Sequence, residues 1–330
     1  APNPNLLTNG NFIIGQRAMP DTAVVIPSGS AVFNADRWKA YRDNLVAGSA
    51  ITRNATNLEP DGMGNQLYFC RTVGDTSLQN LVLIQDLETA DSIPLRGKYL
   101  TFTTRIDKSS NFLGTLTIQI LGSTSSTPDL SAMNGFGGTV TTLASYATSS
   151  PNGVQTVTTT SPVASNINQI AVKIYYTPTR ATAASDEAFW IHGAKLEVGQ
   201  VFTGWSFPNY TETLTRCLRY YEKTAPMNLA PNAGALDPGS LVGIGVSTTR
   251  ILIPAGRAYR VEKRTDPTVS LYAYDGTKGV SAIDNTSTLT SNVTASRTGT
   301  KGFLNIDATS GTPFTVGSWY WFGWSADAEL

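Results

Sequence analysis

Short apolar stretches with period-two alternation, turn residues between them, and a single amphipathic helical segment predict an all-β protein of two domains. The 330 residues suit two domains of roughly 100–200 residues each. Charged residues make up 15% of the chain, against about 25% in an ordinary soluble domain. Thr, Ser, Asn and Gly take their place, a composition that suits pleated, uncharged strand faces.

The alternation is clearest at Tyr99 to Asp107, where Leu100, Phe102, Thr104 and Ile106 share a face. It recurs at Leu113 to Leu121, with Leu116, Ile118 and Ile120 on one side. Period two with β-branched enrichment marks a half-buried strand. Before these, Asn5 to Phe12 reads as a short strand broken by Asn9-Gly10, and Trp38 opens another. Ala50 to Asn54, Gln66 to Val73 and Leu81 to Leu87 follow, with a turn at Glu59-Pro60-Asp61-Gly62. Met133 to Gly138 is a Gly-rich loop. Val154 to Thr160, Ile170 to Tyr176 and Ala188 to Glu197 complete the first set. Strands at this spacing with no helices between them imply antiparallel sheets in a sandwich or jelly roll.

The helix comes next. Leu214, Cys217, Leu218 and Tyr221 fall at i, i+3, i+4 and i+7 and make one apolar stripe. Asn209 and Glu212 have the form of a capping box, and Arg216, Arg219 and Lys223 crowd the C-terminal end, where the macrodipole favours cations. A Pro-containing loop then runs from Thr224 to Gly239. Strands resume at Leu241 to Ser247, Arg250 to Pro254, Tyr259 to Lys263, Thr268 to Tyr274, Lys278 to Ile283, Gly302 to Ala308 and Ser318 to Ser325. The expected organisation is an N-terminal jelly-roll β-sandwich over residues 1–204, a short linking α-helix within 205–225, and a smaller C-terminal β-sandwich over 226–330.

Lys and Arg (24) balance Asp and Glu (24). No net field exists to hold a polyanion, which argues against nucleic acid or an anionic membrane as the main partner. No apolar run reaches the roughly 20 residues of a membrane span, and no secretory signal is legible. Cys70 and Cys217 are expected as buried free thiols, with a disulfide between them as the alternative.

Little in the sequence points to catalysis. His192 is the one histidine and lies within a strand, so a multi-His metal site cannot form and a triad would lack its pocket. No Cys or His spacing suggests zinc. Asp86 with Glu88, and Asp186 with Glu187, are the carboxylate pairs that glycan hydrolysis would need; both read more simply as strand-face charges. No enzyme is expected. Aromatic faces that stack on sugar rings are the more promising chemistry. Trp38, Tyr41, Tyr176 and Trp190 are the candidates for a glycan site, with Tyr68, Tyr146 and Tyr175 behind them. Core packing is the simpler role for each. Tyr175 and Tyr176 are adjacent in a strand, so one must face outward, and the same holds for Phe189 and Trp190. Near the C-terminus Trp319 and Trp321 share one face, and Tyr320 and Phe322 the other. Only one face can be core. Trp319 and Trp321, with Leu214, Leu218 and Tyr221 of the helix stripe, are the candidate oligomer contacts.

Three pieces carry a resemblance: NLLTNGNF with the later ADRW, the segment KLEVG…W…F…Y…E.L..C.RYYEK from Lys195 to Lys223, and an aromatic strand running into the terminal SADAEL. Together they resemble virion appendage proteins of tailed bacteriophages, of the tail-fibre and spike type. A domain with this opening and a closing KLE strand resembles a jelly-roll carbohydrate-binding module. The resemblance implies a homo-oligomer, usually a trimer, on a virus particle assembled in the host cytoplasm. It implies other virion proteins as partners and a host-surface polysaccharide as ligand. Modules of this kind are known with a structural calcium ion (Ca2+), for which no residue here is assigned; no other cofactor is expected. The reading is a non-enzymatic attachment protein. The alternative is a purely structural decoration, collar or head-fibre protein that binds only other virion proteins.

Overall fold

The computed structural model describes residues 1–18, 20–45, 49–54, 65–227, 229–231, 240–273, 278, 280–283, 289–311 and 313–330. The turn expected at Glu59 to Gly62 lies outside these, as does the second half of the loop expected from Thr224 to Gly239. The chain is all-β and divides into two compact units. One comprises residues 1–15 and 20–210 with residue 330; the other comprises residues 16–19 and 211–329.

The first unit is a two-sheet antiparallel sandwich. Its strands are β1 (Val24–Ile26), β2 (Lys39–Arg42), β3 (Ser49–Asn54), β4 (Gln66–Arg71), β5 (Leu81–Asp86), β6 (Leu100–Lys108), β7 (Gly114–Ser123), β8 (Val140–Thr148), β9 (Gly153–Thr158), β10 (Gln169–Pro178) and β11 (Ala188–Val198). A single helical turn, α1 (Thr89–Ser92), follows β5. Six strands form a sheet in the order β1-β3-β4-β11-β6-β9, and five form the other in the order β2-β5-β10-β7-β8. Alternation does the work the sequence suggested. Phe69, Phe102, Ile106, Phe189 and Ile191 face inward from the first sheet, and Leu83, Ile118, Ile120, Val172, Ile174 and Tyr176 from the second. A smaller apolar cluster lies on the far face of the five-stranded sheet, where Tyr41, Val82, Ile84, Leu121 and Ala171 pack with Phe136 and Ala132.

The opening NLLTNGNF is not a strand. It is a turn segment docked on β11: the Leu6 amide donates to the Leu196 carbonyl at 2.8 Å and the Ala194 amide to Gly10 at 2.8 Å. The Asn5 side chain closes the same contact, donating to Ala194 O at 2.9 Å and accepting from the Leu196 amide at 3.1 Å. Gly10 is required by proximity, since a Cβ there would lie 2.2 Å from the Ala194 oxygen. Asn9, left-handed at φ 57°, accepts from Trp38 Nε1 at 3.0 Å through its carbonyl and donates from its amide to the carbonyls of Ile14 and Asp36.

The KLE motif is locked on the outer face of β11. Lys195 and Glu197 are both fully buried and 3.0 Å apart. Lys195 Nζ also donates to Gly204 O at 2.7 Å, and the Thr203 amide donates to Glu197 at 3.0 Å. On the same loop Phe202 meets Trp205 edge-on, and Trp205 stacks on Phe207. A buried ion pair is tolerated only when its remaining donors and acceptors are satisfied, and the loop supplies that.

In the second unit α2 runs from Tyr210 to Leu218 and is followed by β12 (Tyr221–Lys223), β13 (Leu241–Ser247), β14 (Arg250–Ala258), β15 (Thr268–Tyr272), β16 (Val280–Ile283), β17 (Leu289–Ser296), β18 (Gly302–Gly311) and β19 (Trp319–Asp327). The path β12-β19-β13-β14-β18-β17-β16 closes on itself because β16 also pairs with β19, and β15 adds to β19 as well. Ile251, Ile306, Tyr320, Phe322 and Trp324 form its core. Tyr259 to Lys263 is irregular, and β17 was not expected from the sequence.

The helix is shorter than its apolar stripe suggested. It ends at Leu218, and Tyr221 belongs to β12, paired with Asp327 of β19. Lys263 Nζ donates to the Leu218 carbonyl and to Glu222, 2.7 Å away, so a cation caps the negative end of the helix. The Glu222 carboxylate also accepts from the Arg260 amide at 3.1 Å. The three residues of β12 gain strand pairing to β19, which outcompetes one more helical turn. Residues 16–19 complete this unit: Gln16 Nε2 donates to Tyr221 O at 3.0 Å, and the Arg17 guanidinium lies 3.8 Å above the Tyr221 ring.

Candidate functional site

The outer face of the six-stranded sheet carries a row of side chains set by register. Thr52 pairs with Tyr68, Tyr68 with Trp190, and Trp190 with Asp107. Because Leu67, Phe69, Phe189 and Ile191 point into the core, Tyr68 and Trp190 must point out. Both are half-buried. Their ring centroids are 5.3 Å apart with planes tilted by 39°, a contact distance for a cross-strand aromatic pair.

Two carboxylates flank the rings. Tyr68 Oη donates to Asp186 Oδ1 at 2.9 Å. Asp186 sits in a left-handed conformation, φ 54°, in a loop held by Ser109 Oγ donating to its carbonyl at 2.6 Å and by Asn111 Nδ2 donating to Ser185 O at 2.7 Å. Burial, then the bond to Asp186, raises the Tyr68 phenol well above its ordinary pKa, so it remains a donor throughout the physiological range. On the other side Asp107 is 38% exposed and its Oδ2 lies 2.9 Å from His192 Nε2. His192 falls at the register shift between Ile191 and Gly193, a bulge that places it beside the row. The arrangement offers a tilted aromatic shelf with hydrogen-bonding carboxylates at both ends.

The other proposed sugar-stacking residues are corrected by burial. Trp38 is fully buried, edge-on to Phe12 at 5.4 Å. Tyr41 is 5% exposed and belongs to the apolar cluster on the five-stranded sheet. Of the adjacent tyrosines, Tyr176 is the inward one, 1% exposed, its single hydroxyl hydrogen shared between Glu187 Oε1 and Leu113 O, each at 2.7 Å. Tyr175 faces out, with Lys173 Nζ 4.8 Å from its ring. A ring with both faces packed has none left for a ligand. Trp190 alone of the four is accessible.

The carboxylate pairs are structural. Asp86 is buried and engaged by Lys39, Ser131 and the Ala132 amide. Glu88 lies beyond the end of β5 at the start of α1, so the two do not share a strand face. Glu187 is fully buried between Arg71 (2.7 Å) and Arg180 (3.3 Å), whereas Asp186 serves Tyr68. Cys70 and Cys217 are not joined in a disulfide; Cys217 is buried, and Cys70 is half-exposed rather than buried. Among the described residues no cluster of three or more His, Cys, Asp or Glu groups is placed to hold a metal ion, and no helix is long and apolar enough to cross a membrane.

The helix and C-terminal residues divide as well. Leu218 and Tyr221 are buried inside the second unit, and Leu214 is half-buried. Tyr320 and Phe322 are core, while Trp319 is 47% exposed on the opposite face. Register aligns Trp319 with Ile244 and Leu252, and Trp321 with Val242. The outward side of β19, β13 and β14 is therefore an apolar row.

No protein-family model matches the chain, and no curated protein does. Solved structures with some similarity include the enzymatically active domain of tailspike protein 4 of bacteriophage CBA120, at 10% identity over 59% of this chain and 21% of that one, with a TM-score of 0.33. A family 11 carbohydrate-binding module from Clostridium thermocellum, in complex with a β-1,3-1,4-mixed-linked tetrasaccharide, shares 12% identity over 54% of this chain and 96% of that one, TM-score 0.30. The C-terminal family 22 carbohydrate-binding module of a Clostridium thermocellum xylanase shares 13% identity over 53% of this chain and 99% of that one, also at 0.30.

Proposed function

We propose that the chain is a non-enzymatic attachment protein of a tailed-phage appendage and that the Tyr68–Trp190 shelf binds a host-surface glycan. The observation that carries the glycan reading is the outward aromatic pair with a carboxylate at each end. Tilted rings at 5.3 Å present the apolar surface that pyranose faces stack on, and Asp186 and Asp107 supply acceptors for sugar hydroxyls. The virion setting rests on the sequence resemblance in NLLTNGNF, KLEVG and RYYEK. The test is a glycan array followed by calorimetry on the best ligand. Trp190→Ala should weaken binding by about tenfold or more, the loss expected when a stacked ring is removed. Binding unchanged by Trp190→Ala, or no glycan bound at millimolar concentration, would overturn the reading.

A second reading, in which the protein binds only other virion proteins, is favoured by the apolar row of Val242, Ile244, Leu252, Trp319 and Trp321. Rows of this kind on an outward sheet face mark protein contacts more often than sugar sites.

A further inference from the structure

A pocket of about 460 Å³ in the second unit is lined by three cations, Arg257, Arg297 and Lys301, together with Thr298, Thr300 and Phe303, and by no carboxylate. Its construction starts at a hairpin tip. Gly299 and Gly302 bridge each other, with the Gly299 amide donating to Gly302 O at 2.9 Å. The tip is pinned to the neighbouring segment by the Tyr259 amide donating to Lys301 O at 3.0 Å and the Lys263 amide donating to Thr300 O at 2.8 Å. Gly302 allows the approach: a Cβ there would lie 2.0 Å from the Arg257 carbonyl. The tip thus brings its backbone close to that of Arg257, and Lys301 and Arg257 both line the pocket.

Arg257 supplies the second observation. Its guanidinium carbon lies 5.1 Å from the ring centroid of Trp324, itself fully buried. Its Nε is buried with no hydrogen-bond partner among the described residues. Of the nearby acids, Asp307 is paired by Arg250 at 2.7 Å and 3.3 Å and Glu262 accepts from Thr300 Oγ1 at 2.9 Å, while the Asp266 carboxylate lies near Gly299 without being among the residues that line the pocket. Arg297 adds to the field that lowers the Asp307 pKa, behind the larger effect of Arg250. Three cations lining one hollow have the form of an oxyanion site. Its volume is within the range of small-ligand pockets, too large for a bare ion and suited to an anionic group carried on a ring.

We propose that this pocket binds the carboxylate of an acidic saccharide, a uronic acid residue, as a second carbohydrate site separate from the Tyr68–Trp190 shelf. The oxyanion half stands on the pocket alone; the saccharide half rests on the glycan-binding reading above.

The test is amide NMR on the full chain, titrated with sodium glucuronate and, at matched ionic strength, with glucose and with sodium sulfate. The amides of Gly299 and Gly302 report this pocket and the Trp190 indole reports the shelf, so failure of one site is distinguishable from failure of the other. Saturable shifts at Gly299 and Gly302 with glucuronate and none with glucose are expected. Lys301→Gln should weaken them about tenfold, the loss of one charge-assisted hydrogen bond, and Arg257→Gln should abolish them. Lys301 is exposed, so its variant remains informative if Arg257→Gln does not fold. Glucuronate shifts no different from those of glucose, or unchanged in Lys301→Gln, would overturn the proposal. Saturation by sulfate without saturation by glucuronate would overturn its saccharide half.

Discussion

Glu187 is the keystone of the charges buried at one end of the first unit, and replacing it with Ala should destabilise that unit by about 3 kcal/mol. Its carboxylate accepts from Arg71 Nη1 at 2.7 Å and Tyr176 Oη at 2.7 Å, and it pairs with Arg180 Nε at 3.3 Å. Arg71 and Glu187 are both fully buried. Removing one partner of a buried pair costs about 3–5 kcal/mol, because the other charge is left desolvated and uncompensated. The low end applies for structural reasons. Arg71 retains the carbonyls of Arg180, Asp75 and Ser77 at 3.0, 2.8 and 3.1 Å. Tyr176 retains the Leu113 carbonyl, and Arg180 is 36% exposed and can return to water. With a urea m-value of about 2 kcal/mol/M, the midpoint should fall by about 1.5 M. Hydrogen exchange at β10 and β11 amides during urea unfolding reads this unit directly. The double variant Arg71→Met with Glu187→Leu should lose less than the sum of the two single variants, since the two paired charges leave together. A midpoint shift below about 0.4 M for Glu187→Ala, or a double variant worse than the sum of the singles, would refute the argument.

Two further predictions concern the KLE lock and the exposed tryptophan. Burial pushes the Glu197 carboxyl up, but hydrogen bonds from Thr203 and Lys195 pull it down and prevail, so its folded pKa lies below the ordinary value. A depressed carboxylate stabilises the fold above its unfolded pKa of about 4.3 and loses that stabilisation as pH falls through the folded value. The Tm gap between wild type and Glu197→Gln should therefore be widest near neutrality and narrow in acid; a gap independent of pH would contradict the assignment. For Trp319, sedimentation should find a homo-oligomer, expected as a trimer. Trp319→Asp should shift it toward monomer with unchanged circular dichroism, and a wild-type monomer at micromolar concentration would remove the basis for that surface.

The strands whose two faces meet different environments were legible in the sequence. Leu100, Phe102 and Ile106 on β6, and Leu116, Ile118 and Ile120 on β7, alternate because one face is core. β8 was not legible for the converse reason. It is an edge strand, exposed at Val140, Thr141 and Thr142 and again from Ser145 to Ala147, so no burial pattern was written into it. The opening segment misled in another way. Leu7 and Phe12 are fully buried, which reads as a strand, but the segment is fixed by side-chain and backbone bonds from Asn5, Leu6 and Gly10 to β11, across nearly the whole first unit. Contacts at that sequence separation leave no local periodicity.

The functional face shows the same division. Alternation requires one of each adjacent aromatic pair to turn outward, and the apolar residues in phase with Tyr176 (Val172, Ile174) and with Phe189 (Ile191) mark those two as the inward members. Trp190 and Tyr175 are the outward members, Phe189 and Tyr176 the inward ones. Glu187, eleven residues away in sequence, then satisfies the inward Tyr176 hydroxyl with its buried carboxylate. Tyr68 becomes a partner of Trp190 only through the β4–β11 register, and Asp186 only through a left-handed turn. A strand pattern therefore identifies a set of rings that could form a site. Register and the buried polar groups beneath the sheet determine which of them meet on one surface. This is why the Glu187 network bears on binding as well as stability: it anchors the inward Tyr176 on one side while the adjacent Asp186 is aimed at Tyr68 on the other.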